Sequence, residues 1–123
     1  MGFYIDFDYS KGKWFSYPPQ PELQLKIRYL APAAIMAMRS QFVNGEEGVD
    51  AEKLAKAMRE YIIIDWKGFY TGEGKNAKPA PFTRENLDKV HKIDLNIFRW
   101  AADIASDRSN FDPENNEEKL EKN

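Results

Sequence analysis

The run Leu23-Gln24-Leu25-Lys26-Ile27-Arg28-Tyr29 decides the fold. Leu23, Leu25, Ile27 and Tyr29 alternate with Gln24, Lys26 and Arg28, a period of two that gives a β-strand one apolar face and one wet face. Such a strand needs antiparallel neighbours and something to cover its apolar side. Upstream, Phe3, Ile5, Phe7 and Tyr9 alternate with Tyr4, Asp6 and Asp8, which predicts a first strand. Ser10-Lys11-Gly12-Lys13 supplies a turn, because Gly12 can take positive φ, and Trp14 to Tyr17 reads as the return strand. Pro18-Pro19-Gln20-Pro21 stops it, since proline cannot donate to a ladder.

Downstream the period changes from two to that of a helix. Pro32 suits a first helical turn, Ile35, Met38, Arg39 and Phe42 continue at helical spacing, and Asn44-Gly45 ends the element. Asp50 is the expected cap of a second helix whose stripe is Leu54, Met58, Tyr61 and Ile62. Ile62-Ile63-Ile64 is β-branched throughout, so the helix is expected to tighten or give way there. Residues 71–81 form a polar Gly/Pro loop. Thr83 caps the next helix, and Asp94 can cap again after a break at Ile93-Asp94. The expected class is therefore α+β: an N-terminal three-stranded antiparallel sheet in residues 1–30, packed against three to four helices in residues 31–109. Residues 110–123 read as a disordered acidic tail; from 112 on they hold five acids and one sizeable apolar group, Leu120.

Composition narrows the function. The chain has 123 residues, with 18 Lys+Arg against 20 Asp+Glu, the size of one domain with a slight negative balance. It has no cysteine, which excludes disulfides, thiolate metal sites and cysteine nucleophiles, and its one histidine, His91, cannot build a His-based metal centre. No apolar run approaches the ~20 residues that cross a bilayer, and Met1 to Asp6 lacks the pattern of a signal peptide. No cofactor is expected.

The chemical candidates are few. Asp6 and Asp8, on one face of the predicted first strand, offer too few oxygens for a cation and read as solvent-facing. His91 has no paired nucleophile, and Lys89 and Lys92 beside it should lower its pKa. Gly72-Glu73-Gly74-Lys75 lacks the Ser/Thr and the helix that a phosphate loop needs. Lys11, Lys13, Trp14, Phe15, Lys26 and Arg28 mix cations and aromatics as nucleic-acid stacking platforms do, but the charge balance makes counterion release small. A binding protein is expected, not an enzyme.

Two short signatures point further. Asp65-Trp66-Lys67-Gly68-Phe69 follows the second helix, where Gly68 can end it, and Pro81-Phe82-Thr83-Arg84-Glu85-Asn86 opens the third. On physical grounds alone they are scaffold, with Trp66 packed on Phe82 and Thr83 as a cap. Together with the strand entering a helix at Leu25–Ile35, they make residues 22–123 resemble the tail assembly chaperones of long-tailed bacteriophages. In that family a helix ends in a W-x-G signature, here Trp66 and Gly68 after Asp65. A glycine-rich turn then leads to a P-F-T-x-E-N signature, here Pro81, Phe82, Thr83, Glu85 and Asn86. The turn is longer here by Lys75–Ala80, and the aromatic hairpin at residues 3–17 has no counterpart.

The resemblance implies a phage or prophage protein that binds the tape-measure and tail-tube proteins during tail morphogenesis. It would act in the cytoplasm of the bacterial host and be absent from the mature virion. It also implies a longer form made by ribosomal frameshifting, for which Glu121-Lys122-Asn123 could be encoded by a slippery run. The apolar residues expected to meet a partner are Trp14, Phe15 and Tyr17 in the hairpin and Phe111 and Leu120 in the tail; the hairpin also offers an edge for homo-oligomers. The alternative is a small nucleic-acid-binding or regulatory protein using the basic-aromatic sheet face.

Overall fold

A computed structural model describes residues 2–43, 45 and 48–113. It is α+β, with a three-stranded antiparallel sheet and four α-helices. The strands are β1 (Lys13–Ser16), β2 (Gln24–Ile27) and β3 (Ile63–Lys67), in the order β1-β2-β3. The helices are α1 (Pro32–Gln41), α2 (Ala51–Ile62), α3 (Arg84–Ile93) and α4 (Leu95–Ser106). A two-stranded ribbon, β4 (Tyr70–Thr71) with β5 (Lys78–Pro79), stands between β3 and α3.

The predicted strand over Phe3–Tyr9 does not form. Asp8 instead accepts from the Ser10 amide at 2.9 Å and caps a 3₁₀ turn over Tyr9–Lys11. A short acidic side chain that bonds its own backbone competes with a ladder, and here it wins. The third place in the sheet goes to Ile63–Lys67, from the middle of the chain. The helix–strand exchange at Ile62/Ile63 occurs with no loop, because the β-branched run loses little in extended backbone.

Pairing sorts the sheet into two faces. Phe15 stands opposite Leu25, and Leu25 opposite Trp66; this face turns to the helices. Trp14 stands opposite Lys26, and Lys26 opposite Asp65, on the other face, where Lys67 lays its ammonium 4.3 Å from the Trp14 ring centroid. Between the sheet and the helices, Leu25, Ile27, Ile63, Leu87, Ala101 and Ala105 are fully enclosed. The Leu30 amide donates to the Ala105 carbonyl and the Arg28 amide to the Ile62 carbonyl, both at 2.9 Å, tying the ends of α4 and α2 to the chain that leaves β2.

Three helix caps follow from short-range chemistry. Asp50, Thr83 and Asp94 each accept from a backbone amide in the first turn of α2, α3 and α4. Asn44, the other half of the expected stop of α1, lies outside the described residues. Gly68 ends a strand, not a helix: its φ is +90°, and a Cβ there would fall 2.2 Å from the Glu22 carbonyl oxygen. Only glycine lets the end of β3 come this close to the β1–β2 connection.

The expected tail begins too early. Arg108–Phe111 forms a 3₁₀ turn, and Phe111 is only 2% exposed, edge-to-face with Phe15 and tilted against Tyr29. Asp112 is also buried; Tyr9 donates its hydroxyl to the carboxylate and Lys13 donates to the backbone carbonyl at 3.0 Å. That hydrogen bond raises the Tyr9 pKa. Burial lowers the Lys13 pKa, with Asp112 opposing.

Candidate functional site

The two signatures meet as a clip. Trp66, 6% exposed, stacks on Phe69 with centroids 4.4 Å apart and receives Phe82 edge-on at 5.2 Å. Its indole Nε1–H donates to the Ala80 carbonyl at 2.9 Å, and the Ala80 amide donates to the Phe69 carbonyl at 2.7 Å. Both ends of the ribbon are thus tied to one side chain. Thr83 caps α3 through the Asn86 amide, while Asn86 Nδ2 donates to the Pro81 carbonyl at 2.9 Å and holds the turn into the helix. Asp65 accepts from the Trp66 amide at 2.8 Å on the outer face, and Glu85 lies exposed in an i,i+4 ion pair with Lys89. Trp66, Gly68, Pro81, Phe82, Thr83 and Asn86 therefore act as scaffold, with Asp65 and Glu85 at its surface.

The clip shapes an open groove of about 390 Å³ between the ribbon and the α3–α4 corner. Trp66, Phe69 and Leu23 stand on the sheet side, and Val90, Ile93 and Ile97 on the helix side. Tyr70 and Ile93 at the rim are 65% and 83% exposed. Tyr70 and Ile93 thus extend the apolar trough to its edge, a shape that can take an apolar side of another molecule. Sequence patterning missed both. Ile93 falls off the stripe of α3 and next to a cap, where a local reading sees only a helix end.

The residues expected to meet a partner are not together. Trp14 is 37% exposed, on the open sheet face with Lys67 against its ring. Phe15 faces the helices, Tyr17 is buried edge-on against Trp100, and Phe111 is core, so these three are not free surface. Leu120 lies outside the described residues. The basic-aromatic platform is dispersed for the same reason. Phe15 and Lys13 turn inward, and Arg28 donates to the Tyr61 carbonyl with its guanidinium 3.8 Å over the Tyr61 ring.

A model of a protein family, the YdaY prophage proteins, matches residues 27–122. The chain belongs to the YdaY prophage protein family. No curated protein and no solved structure matches it. The YdaY match takes in β3, the ribbon, α3 and α4, hence the whole clip and most of the groove, and it leaves β1 outside. The phage origin implied by the two signatures therefore holds, while tail assembly is a narrower statement than the family description makes. Among the described residues, no helix is long and apolar enough to cross a membrane, and no group of three or more metal-ligating side chains stands together.

His91 packs edge-on against Phe98, 5.3 Å between centroids. Its pKa is lowered, first by burial and then by the Arg59 guanidinium, with Asp88 opposing. The neighbouring lysines are not the cause. A folded state that resists protonating its imidazole keeps its full stability above the unfolded value near 6.5 and loses it as pH falls through and below that value. The urea midpoint is accordingly expected to drop between about pH 7.5 and pH 5.5 and to stay flat there in His91→Gln, since no other group of the chain titrates as an imidazole. An equal drop in the variant would place the cause elsewhere.

Proposed function

We propose that this YdaY family member is a tail assembly chaperone of its phage. It would be a non-enzymatic protein that binds the tape-measure and tail-tube proteins in the host cytoplasm and leaves before the virion is complete. The observation that carries the reading is the groove beside Trp66, whose rim leaves Tyr70 and Ile93 in water. An assembly factor must hold an apolar client strongly enough to keep it from aggregating and weakly enough to release it, which asks for a small open trough and not a deep pocket. The prophage family and the two signatures support the same reading.

The test is co-expression with the tape-measure and tail-tube proteins encoded beside the gene, followed by capture at low and high salt. Capture is expected to survive high salt, because apolar burial is not screened. Tyr70→Glu with Ile93→Glu is expected to weaken it by about tenfold or more while leaving the far-ultraviolet circular dichroism unchanged, since both side chains are exposed. Capture of neither client, or equal capture by the double variant, would overturn the reading. Binding that collapses with salt and transfers to single-stranded nucleic acid would favour the regulatory alternative.

A further inference from the structure

A second trough lies on the other side of the α3–α4 corner, away from the clip. On α2, Ala55, Met58, Arg59 and Ile62 stand at i, i+3, i+4 and i+7; on α4, Leu95, Phe98, Arg99 and Ala102 repeat the same spacing. The two stripes border an open seam of about 260 Å³, floored by Leu30 and closed at one end by His91. Parallel apolar ridges with an empty line between them are the surface on which a third helix packs.

The rim of the seam says what kind of helix. Arg59 and Arg99 line the seam, and among the described residues no carboxylate lines it. An adjoining hollow that shares Ala55, Arg59 and His91 with it holds Lys53, Lys56 and Lys92 against Asp50, Glu52 and Asp88. Asp88 is shared by Lys56 at 3.4 Å and Arg59 at 3.2 Å, and Asp50 takes Lys53. Among the described residues Lys92 and Arg99 have no ion-pair partner, and both are exposed, Arg99 on the seam and Lys92 in the adjoining hollow. Arg59 lies over the Phe98 ring with one guanidinium nitrogen on Asp88, and its buried Nε has no acceptor among the described residues.

We infer that the seam between α2 and α4 binds a helical segment of a protein partner, apolar along one stripe and acidic beside it. The apolar stripe lies between Met58 and Phe98, and the flanking carboxylates meet Arg99 and Lys92. This site is separate from the Trp66 groove and does not depend on what that groove holds.

The probe is a fluorescein-labelled synthetic peptide of about four helical turns. It carries leucines at helical spacing and glutamates beside them, and is compared with a copy in which lysines replace the glutamates. The full chain is expected to raise the anisotropy of the glutamate peptide and to bind the lysine peptide at least about tenfold more weakly. Arg99→Glu and Lys92→Glu are each expected to weaken the glutamate peptide several-fold, and Ala102→Trp, at an exposed position, to block it by filling the seam. Each variant is checked for an unchanged urea midpoint. Equal affinity for the two peptides, or full affinity in Arg99→Glu, would overturn the inference. So would binding seen only after removal of residues 114–123, because the chain's own acidic segment would then be the occupant. A dimer that Arg99→Glu dissociates would assign the seam to self-association instead.

Discussion

Trp66→Ala is expected to destabilise the fold by about 3–5 kcal/mol, the range for deleting a buried large aromatic. The effect sits at the top of what a single residue can do here because three contacts end on one side chain. The ring fills space between Phe69 and Phe82, and the indole N–H is the partner of the Ala80 carbonyl. Trp66→Phe separates these parts. It retains an aromatic wall and strands the carbonyl, so about 1–2 kcal/mol is expected. Urea unfolding followed by circular dichroism reads both. Because Trp66 also walls the groove, client capture should fall with Trp66→Ala even below the unfolding midpoint, and less so with Trp66→Phe. A loss under about 1 kcal/mol in the alanine variant would mean that the ribbon is held by its own pairing.

Phe111→Ala is expected to cost a similar amount, about 3–5 kcal/mol, although it lies only two residues from the last described position. Its ring is enclosed against Phe15 and Tyr29, and nothing from solvent could refill the space. A chain shortened to end at residue 109 should fare worse than the point variant. It loses Phe111 and also Asp112, the acceptor for Tyr9 and Lys13, and so releases the N-terminal segment as well. A chain shortened to end at residue 113 keeps all of these contacts and should unfold close to the full-length midpoint. If the 109 form were equally stable, the domain would end at α4 after all.

What could be read in advance were the features whose causes are local. β2 announces itself by alternation, Pro32 marks a helix start by its fixed φ and missing N–H, and Asp50, Thr83 and Asp94 mark theirs through bonds that span two or three residues. The packing of Trp66 on Phe82 was also legible, because two aromatic signatures flanking a loop must bury their rings somewhere. Competition between distant segments was not legible. Phe3–Tyr9 alternates and yet turns back on itself through the Asp8 cap, whereas Ile63–Lys67 breaks alternation at Ile63-Ile64 and takes the third place with a register shift against Lys26/Ile27. Phe111 sits in an acidic stretch, and its burial depends on Phe15 and Tyr29 while Tyr9 and Lys13 hold its neighbour Asp112, all far upstream in the chain. The groove was invisible for a related reason: an exposed Ile93 or Tyr70 has no period, and only the folded neighbours show that each borders the same trough.

The junction at Ile62/Ile63 has a consequence for how the chain can change length. One residue removed there would turn everything before it by about 100° about the α2 axis. Were α2 to hold its place instead, the same deletion would exchange the faces of β3, bringing Trp66 out and Asp65 in. No loop intervenes to absorb the slip. The tip of the ribbon, residues 72–77, is exposed and touches neither the clip nor the core. Insertions and deletions among relatives should therefore collect at that tip, and the spacing from Asp50 to Gly68 should stay constant.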